Sequence, residues 1–275
     1  SGIATADLGA TEVAPVARPV SATDSGPVRM RLADVGLNRA NGSRAVAGLG
    51  FELRGGEILA VAGVDGNGQA ELAAAMAGLA RPAQGEIAMG DLVSSGRDWT
   101  PRALRLAGLA HIPEDRRRDG ILAGRPLTEN LLLSRFFRAD AGAAGRLDHR
   151  RAEAATRAAI AEYDIRTTGP QQAIGRLSGG NQQKLVLARE LMDDPQVIIA
   201  AHPSRGLDVR TVAFVQERLR DHRARGAAIL LVSADLGEIW GLADRIVVLS
   251  GGRARGPVAI AATTQEEVGA WMAGH

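Results

Sequence analysis

Apolar and polar positions along this chain follow two rhythms. VRMRLADV, starting at Val28, alternates apolar with polar residues, and AVAGLGFEL and EILAVAGV follow as short apolar runs. Glycine, asparagine and serine separate them, so all three predict strands. QAELAAAMAGL, from Gln69, is helical in pattern. Downstream, GEIAMG and LAGLAHIP predict strands, ENLLLSRFF opens a helical region, and DHRRAEAATRAAIAEY predicts an amphipathic helix. LSGGNQQKLVLARELM predicts a loop running into another helix. QVIIA, AILLVS and DRIVVLSGG then predict short buried strands, separated by helical stretches at 212–223 and 236–242. Strands alternating with helices in this way predict an α/β fold with a largely parallel core sheet. The segment at about 101–175 is richer in helix and predicts a lobe inserted into that fold. Residues 1–26, rich in Pro, Ala, Ser and Thr, have no periodicity and predict a linker from a preceding domain. Residues 27–275 predict one folded unit that contains this lobe.

Composition narrows the picture only a little. A chain of 275 residues is long enough for a well-buried core. Lys and Arg total 33 against 31 Asp and Glu, a formal charge of +2, too balanced to suggest a nucleic-acid partner. Lys184 is the single lysine. The absence of cysteine excludes disulfides and thiolate metal sites. No apolar run reaches the roughly 18 residues of a membrane span. The sequence starts at Ser1 with neither a basic nor an apolar leader, which predicts a piece of a longer polypeptide.

The first chemical signal is GVDGNGQA at 63–70. It has the G-x-x-x-x-G outline of a phosphate-cradling loop, placed between a predicted strand and a predicted helix. Where the ATPase pattern has Lys and then Ser or Thr, this chain has Gln69 and Ala70. Four more stretches follow in order: HIPEDRRRDG, LSGGNQQK, VIIAAHPSRGLD and VSADLGEI. A lone glycine-rich loop is weak evidence; five ordered segments are strong.

This order resembles the nucleotide-binding domain of ABC transporters over about residues 28–260, with LSGG at 177–180 as the signature. LSGGNQQK and PEDRRRDG further resemble the ATPase subunits of simple-sugar and nucleoside importers, which carry two such domains per chain. AAHPSRGLD is similar to the degenerate second domain of the nucleoside branch. The resemblance implies a P-loop NTPase-like fold with an antiparallel β subdomain and an inserted helical lobe. It implies ATP as the ligand, permease subunits as partners, an indirect substrate-binding protein, and a place at the cytoplasmic face of a bacterial inner membrane.

Residue by residue, the resemblance implies an own pocket formed by Gly63, Asp65, Gly66, Asn67, Gly68, Gln69 and Ala70. That pocket has lost its chemistry. Gln69 replaces the phosphate-binding lysine, and Ala70 and Ala201 replace the Mg²⁺-linked hydroxyl and carboxylate. His202 stands for the water-activating Glu, Ala234 for the switch His, and Glu114 for the Q-loop Gln. A neutral amide in place of a charged donor weakens phosphate binding, and without its anchors Mg²⁺ is expected only at a partner's site. The signature remains: Ser178, Gly179, Gly180, Asn181 and Gln182 are expected to contact ATP held by a first nucleotide-binding domain, with Asp208 in the D-loop. DVGLNRANG holds no aromatic for adenine stacking, and Leu37 takes that place. Arg116, Arg117 and Arg118 are expected near the permease's coupling helices. His111, His149, His222 and His275 lack metal spacing. The competing reading is a non-transport regulatory module that senses nucleotide; a third is an active ATPase using arginine and His202.

Overall fold

Two sheets meet across one core in the computed structural model, which describes residues 26–135 and 148–275. The expected linker, apart from Gly26, lies outside the described residues, as do the last two residues of ENLLLSRFF. Strands β1 (Val28–Asn38), β2 (Arg44–Arg54), β4 (Gln84–Met89) and β5 (Leu92–Val93) form an antiparallel sheet in the order β2-β1-β4-β5. The second sheet runs β10-β9-β3-β8-β7-β6. Its strands are β3 (Ile58–Ala62), β6 (Leu109–Ile112), β7 (Val197–Ala201), β8 (Ala228–Val232), β9 (Arg245–Ser250) and β10 (Arg253–Ala259). All of its neighbours pair in parallel except β9 with β10.

The apolar runs behave as strands covered on both faces, as parallel strands are. Every residue of β3, β7 and β8 is buried. Alternation along β7 sends Val197, Ile199 and Ala201 toward the antiparallel sheet and helix α1 (Gln69–Met76). Ile198 and Ala200 face the opposite layer, where helices α5 (Gly179–Leu191) and α6 (Val209–Ala224) pack. Ala201 therefore ends its strand on the side of the glycine-rich loop.

One boundary needs correction. Leu109–Ile112 falls inside the stretch expected to form the helical lobe, yet it pairs with β7 as the edge of the core sheet. LAHI is apolar enough to take that edge, so the helical insertion begins beyond Ile112. It contains α3 (Leu127–Leu132) and α4 (His149–Glu162), which pack against α5. Helix α2 (Pro101–Leu106) comes before β6, and α7 (Leu236–Leu242) and α8 (Gln265–Met272) close the chain. No helix among the described residues is long and apolar enough to cross a membrane.

Candidate functional site

The glycine-rich loop joins β3 to α1, as its sequence predicted. Gly68 caps α1 with φ at 106°, in the left-handed region that favours glycine. A Cβ there would lie 2.2 Å from Cγ2 of Val46, so β2 presses on the loop too closely for any side chain. Asn67 stitches the loop together: its Nδ2 donates to Val64 O at 3.0 Å, and its Oδ1 accepts from Gly251 N at 3.1 Å.

Gln69 is only 6 % exposed. Its Nε2 donates to Val64 O at 3.1 Å and lies 2.4 Å from where a Cβ on Gly63 would sit. The amide is thus folded back across the loop. Leu37, expected to meet the adenine, is 2 % exposed and packed in the core, because its alternation in β1 turns it inward. Arg39 is the side chain from this region that reaches the loop: its guanidinium donates to Gly66 O at 2.8 Å and Arg44 O at 2.6 Å.

Three of the predicted segments are joined by a residue that sequence reasoning passed over. Arg205 donates from Nη1 to Glu114 Oε1 at 2.6 Å and from Nη2 to Asp65 Oδ2 at 3.4 Å. Its signal was its place in AAHPSRGLD, the segment that follows β7. Behind this bridge lies a cavity of about 400 Å³, lined among others by Asp65, His202, Ser204, Ala234 and Glu238. His202 stands at φ 45°, with its N–H donating to Val232 O at 2.8 Å. Ser233 Oγ donates to Glu238 Oε2 at 2.6 Å.

This donor set does not fit a Mg²⁺ ion held in the way the ATPase pattern requires. Ala70 and Ala201 carry no side-chain oxygen, and the carboxylates of Asp65 and Glu114 are already engaged by Arg205. Nor do the described residues contain a group of three or more His, Asp or Glu arranged to hold a metal. Lys184 gives no substitute for the missing lysine. Its Nζ is bound to the backbone oxygen and carboxylate of Asp164, at 2.8 and 3.0 Å, and lies 4.9 Å from the Phe214 ring centroid.

The signature is differently disposed. Ser178 is exposed and caps α5, its Oγ accepting from Asn181 N at 3.4 Å and Asn181 Nδ2 at 2.9 Å. Asn181 Oδ1 in turn accepts from Arg166 N at 2.8 Å. Gly179 and Gly180 follow in the first turn, whose N–H groups have no intrahelical acceptor. A Cβ on Gly180 would lie 2.7 Å from Thr211 Oγ1 and 3.4 Å from Asp208 Oδ2. The D-loop carboxylate is thereby set against the signature. Asp208 caps α6 through Thr211 N at 3.0 Å and Thr211 Oγ1 at 2.8 Å, and chiefly the Thr211 hydroxyl holds its pKa below the ordinary value.

Gln182 departs from expectation. It is 3 % exposed, with Nε2 donating to Leu177 O at 3.0 Å. At the fourth position of the helix it turns beneath the loop, so it holds the signature in shape and does not present itself at the surface.

The profile described as "ABC transporter" matches residues 46–205, more than half of the chain. The chain belongs to the ABC transporter family. Among curated relatives it is 36 % identical over 250 residues to the nucleoside import ATP-binding protein NupA of Lactococcus lactis, covering 90 % of this chain and 48 % of that protein. It is 40 % identical over 233 residues to the guanosine import ATP-binding protein NupO of Bacillus subtilis, covering 85 % and 45 %. The ribose import ATP-binding protein RbsA of Clostridium perfringens is 36 % identical over 224 residues, covering 81 % and 44 %. The chain thus spans about half the length of the curated relatives it matches.

Solved ABC structures share the fold. An ATP-binding subunit of an ABC transporter superposes with a TM-score of 0.70 at 21 % identity, over 89 % of this chain and 99 % of that one. A dimeric ATP-binding cassette bound to ADP and Pi gives a TM-score of 0.71 at 18 % identity, over 84 % and 98 %. The α/β fold with its antiparallel subdomain is therefore that of an ABC ATP-binding cassette.

Proposed function

We propose that this chain is the second nucleotide-binding domain of an ABC importer for nucleosides, with simple sugars the next substrate class. In this reading its own P-loop is chemically degenerate, and it completes the ATP site of a partner domain with its signature. One contrast carries the reading: Gln69 folds its amide into its own loop, while Ser178 stays exposed at the start of a 13-residue helix. Anions favour such a helix start, because amide donors and the helix dipole both point at them. ATP held by a domain with an intact lysine loop would meet that clamp when the two domains close. The names of the relatives favour nucleosides over sugars. The chain would sit at the cytoplasmic face of the inner membrane, its exposed turn carrying Arg117 and Arg118 against transmembrane permease subunits, and a substrate-binding protein would deliver cargo from the other side.

ATP turnover by the isolated chain tests the reading directly. The expected result is no hydrolysis above background, and calorimetry should show ATP affinity that Mg²⁺ does not improve. Turnover at the rate of a lysine-bearing family member would sink the proposal.

A further inference from the structure

Arg116 is a half-buried cation that makes no ion pair among the described residues, its nearest opposite charge being the adjacent Asp115. It opens the π-helical turn Arg116–Gly120. Its Nη1 reaches Arg205 O at 3.5 Å, the outer limit of a hydrogen bond, and its Nε is shielded from solvent with no hydrogen-bond partner. The neighbouring acids are engaged elsewhere. Asp115 accepts from the N–H groups of Arg117 and Arg118, at 2.9 and 3.1 Å, and Asp119 pairs with Arg118 at 2.7 Å. Several other partly buried arginines are paired with acids: Arg105 and Arg189 with Glu190, Arg223 with Asp244, and Arg245 with Glu57; Arg29 and Arg220 instead donate to neutral acceptors. Burial pushes the Arg116 pKa down, as expected of a cation removed from water. A guanidinium nevertheless stays charged, so the site asks for an anion.

The direction of the side chain identifies where that anion would sit. A Cβ built on Gly179 would lie 2.5 Å from Arg116 Nη2. The guanidinium therefore rests against the first residue of α5, beside the exposed hydroxyl of Ser178. Asp208, the carboxylate near Gly180, has its oxygens bound by Thr211. Two independent sources of positive potential, the guanidinium and the helix start, thus converge on one patch.

We propose that Arg116 binds the terminal phosphate of the ATP held by the partner domain, adding a guanidinium to the serine-glycine clamp. The inference rests on the reading that the signature completes a partner's site. A planar guanidinium can offer two parallel N–H donors to a phosphate. Supplied across a domain interface, it also opposes the negative charge on the phosphoryl oxygens during transfer.

Two measurements test this. In the first, the chain alone is titrated calorimetrically with inorganic tripolyphosphate. Arg116→Met, which keeps an apolar stem in place, should weaken binding about tenfold with an unchanged melting temperature, and Arg116→Lys should fall between. Arg157→Ala, in an exposed α4 pair with Glu153, should change nothing. Tripolyphosphate affinity in Arg116→Met equal to or above that of the parent overturns the proposal. In the second, the chain is paired with a domain carrying an intact lysine loop, and the ATP KM and kcat are read. Arg116→Met should cost about tenfold in kcat/KM, while Ser178→Arg abolishes turnover. If Ser178→Arg leaves turnover intact, the signature reading fails; if it abolishes turnover and Arg116→Met does nothing, only the role of Arg116 fails.

Discussion

Gly68 shows how one position can be set by two constraints. Its positive φ and the 2.2 Å approach of Val46 to a would-be Cβ both exclude other residues. Gly68→Ala should cost about 2 kcal/mol, a lowered melting temperature checking it. His222 carries a different liability. Burial, reinforced by Arg225, pushes its pKa from 6.5 down to about 4. The folded state then holds the neutral ring while the unfolded chain takes up a proton below pH 6.5. Stability supplied by the neutral ring is complete above that pH and declines as pH falls toward 4. Half-buried His111, lowered by desolvation in the same direction, adds to the effect. Denaturant midpoints between pH 7 and 5 should therefore fall, with a shallower slope in His222→Gln.

Helix α5 does two tasks with opposite ends. Its N-terminus presents Ser178 and two glycines, and its C-terminal half carries Arg189 and Glu190 into the core. The Glu190 carboxylate is wholly buried between Arg105 Nη1 at 2.7 Å and Arg189 Nε at 2.8 Å, and those arginines outweigh its desolvation to keep its pKa low. This pair of contacts ties α5 to α2, across the edge strand β6. Glu190→Ala would leave two arginines uncompensated and should destabilise by about 3–5 kcal/mol in urea unfolding. Glu190→Gln, which keeps some hydrogen bonds, should cost less. That helix α5 starts at LSGG was legible in advance, because Ser178 is a strong N-cap and the run from Gln182 onward is rich in helix formers. That Gln182 turns inward was not, since helical phase relative to a neighbouring loop is settled by packing.

For the molecule as a whole, the two-sheet arrangement brings segments far apart in sequence to one rim. Asp65, Glu114 and Arg205 are separated by 91 to 140 residues from partner to partner, yet share one guanidinium. Such exposed pairs are each worth under about 1 kcal/mol, so their role is to set charge and not to hold the fold.

Most of the strand and helix order, the glycine-rich loop and the signature could be read from the residues, because each depends on local periodicity and on turn and cap chemistry; β5, β10 and α8 were not anticipated. That Gln69 is neutral and that Ala70, Ala201 and Ala234 carry no polar side-chain atom could likewise be read without any structure. Tertiary packing alone decided the rest: that Leu37 lies in the core, that Leu109–Ile112 belongs to the sheet, that Arg205 spans the pocket's rim, and that Arg116 abuts Gly179. These are contacts between distant segments, and a side chain's partner across such distances is fixed by how sheets and helices stack, which the local pattern does not encode.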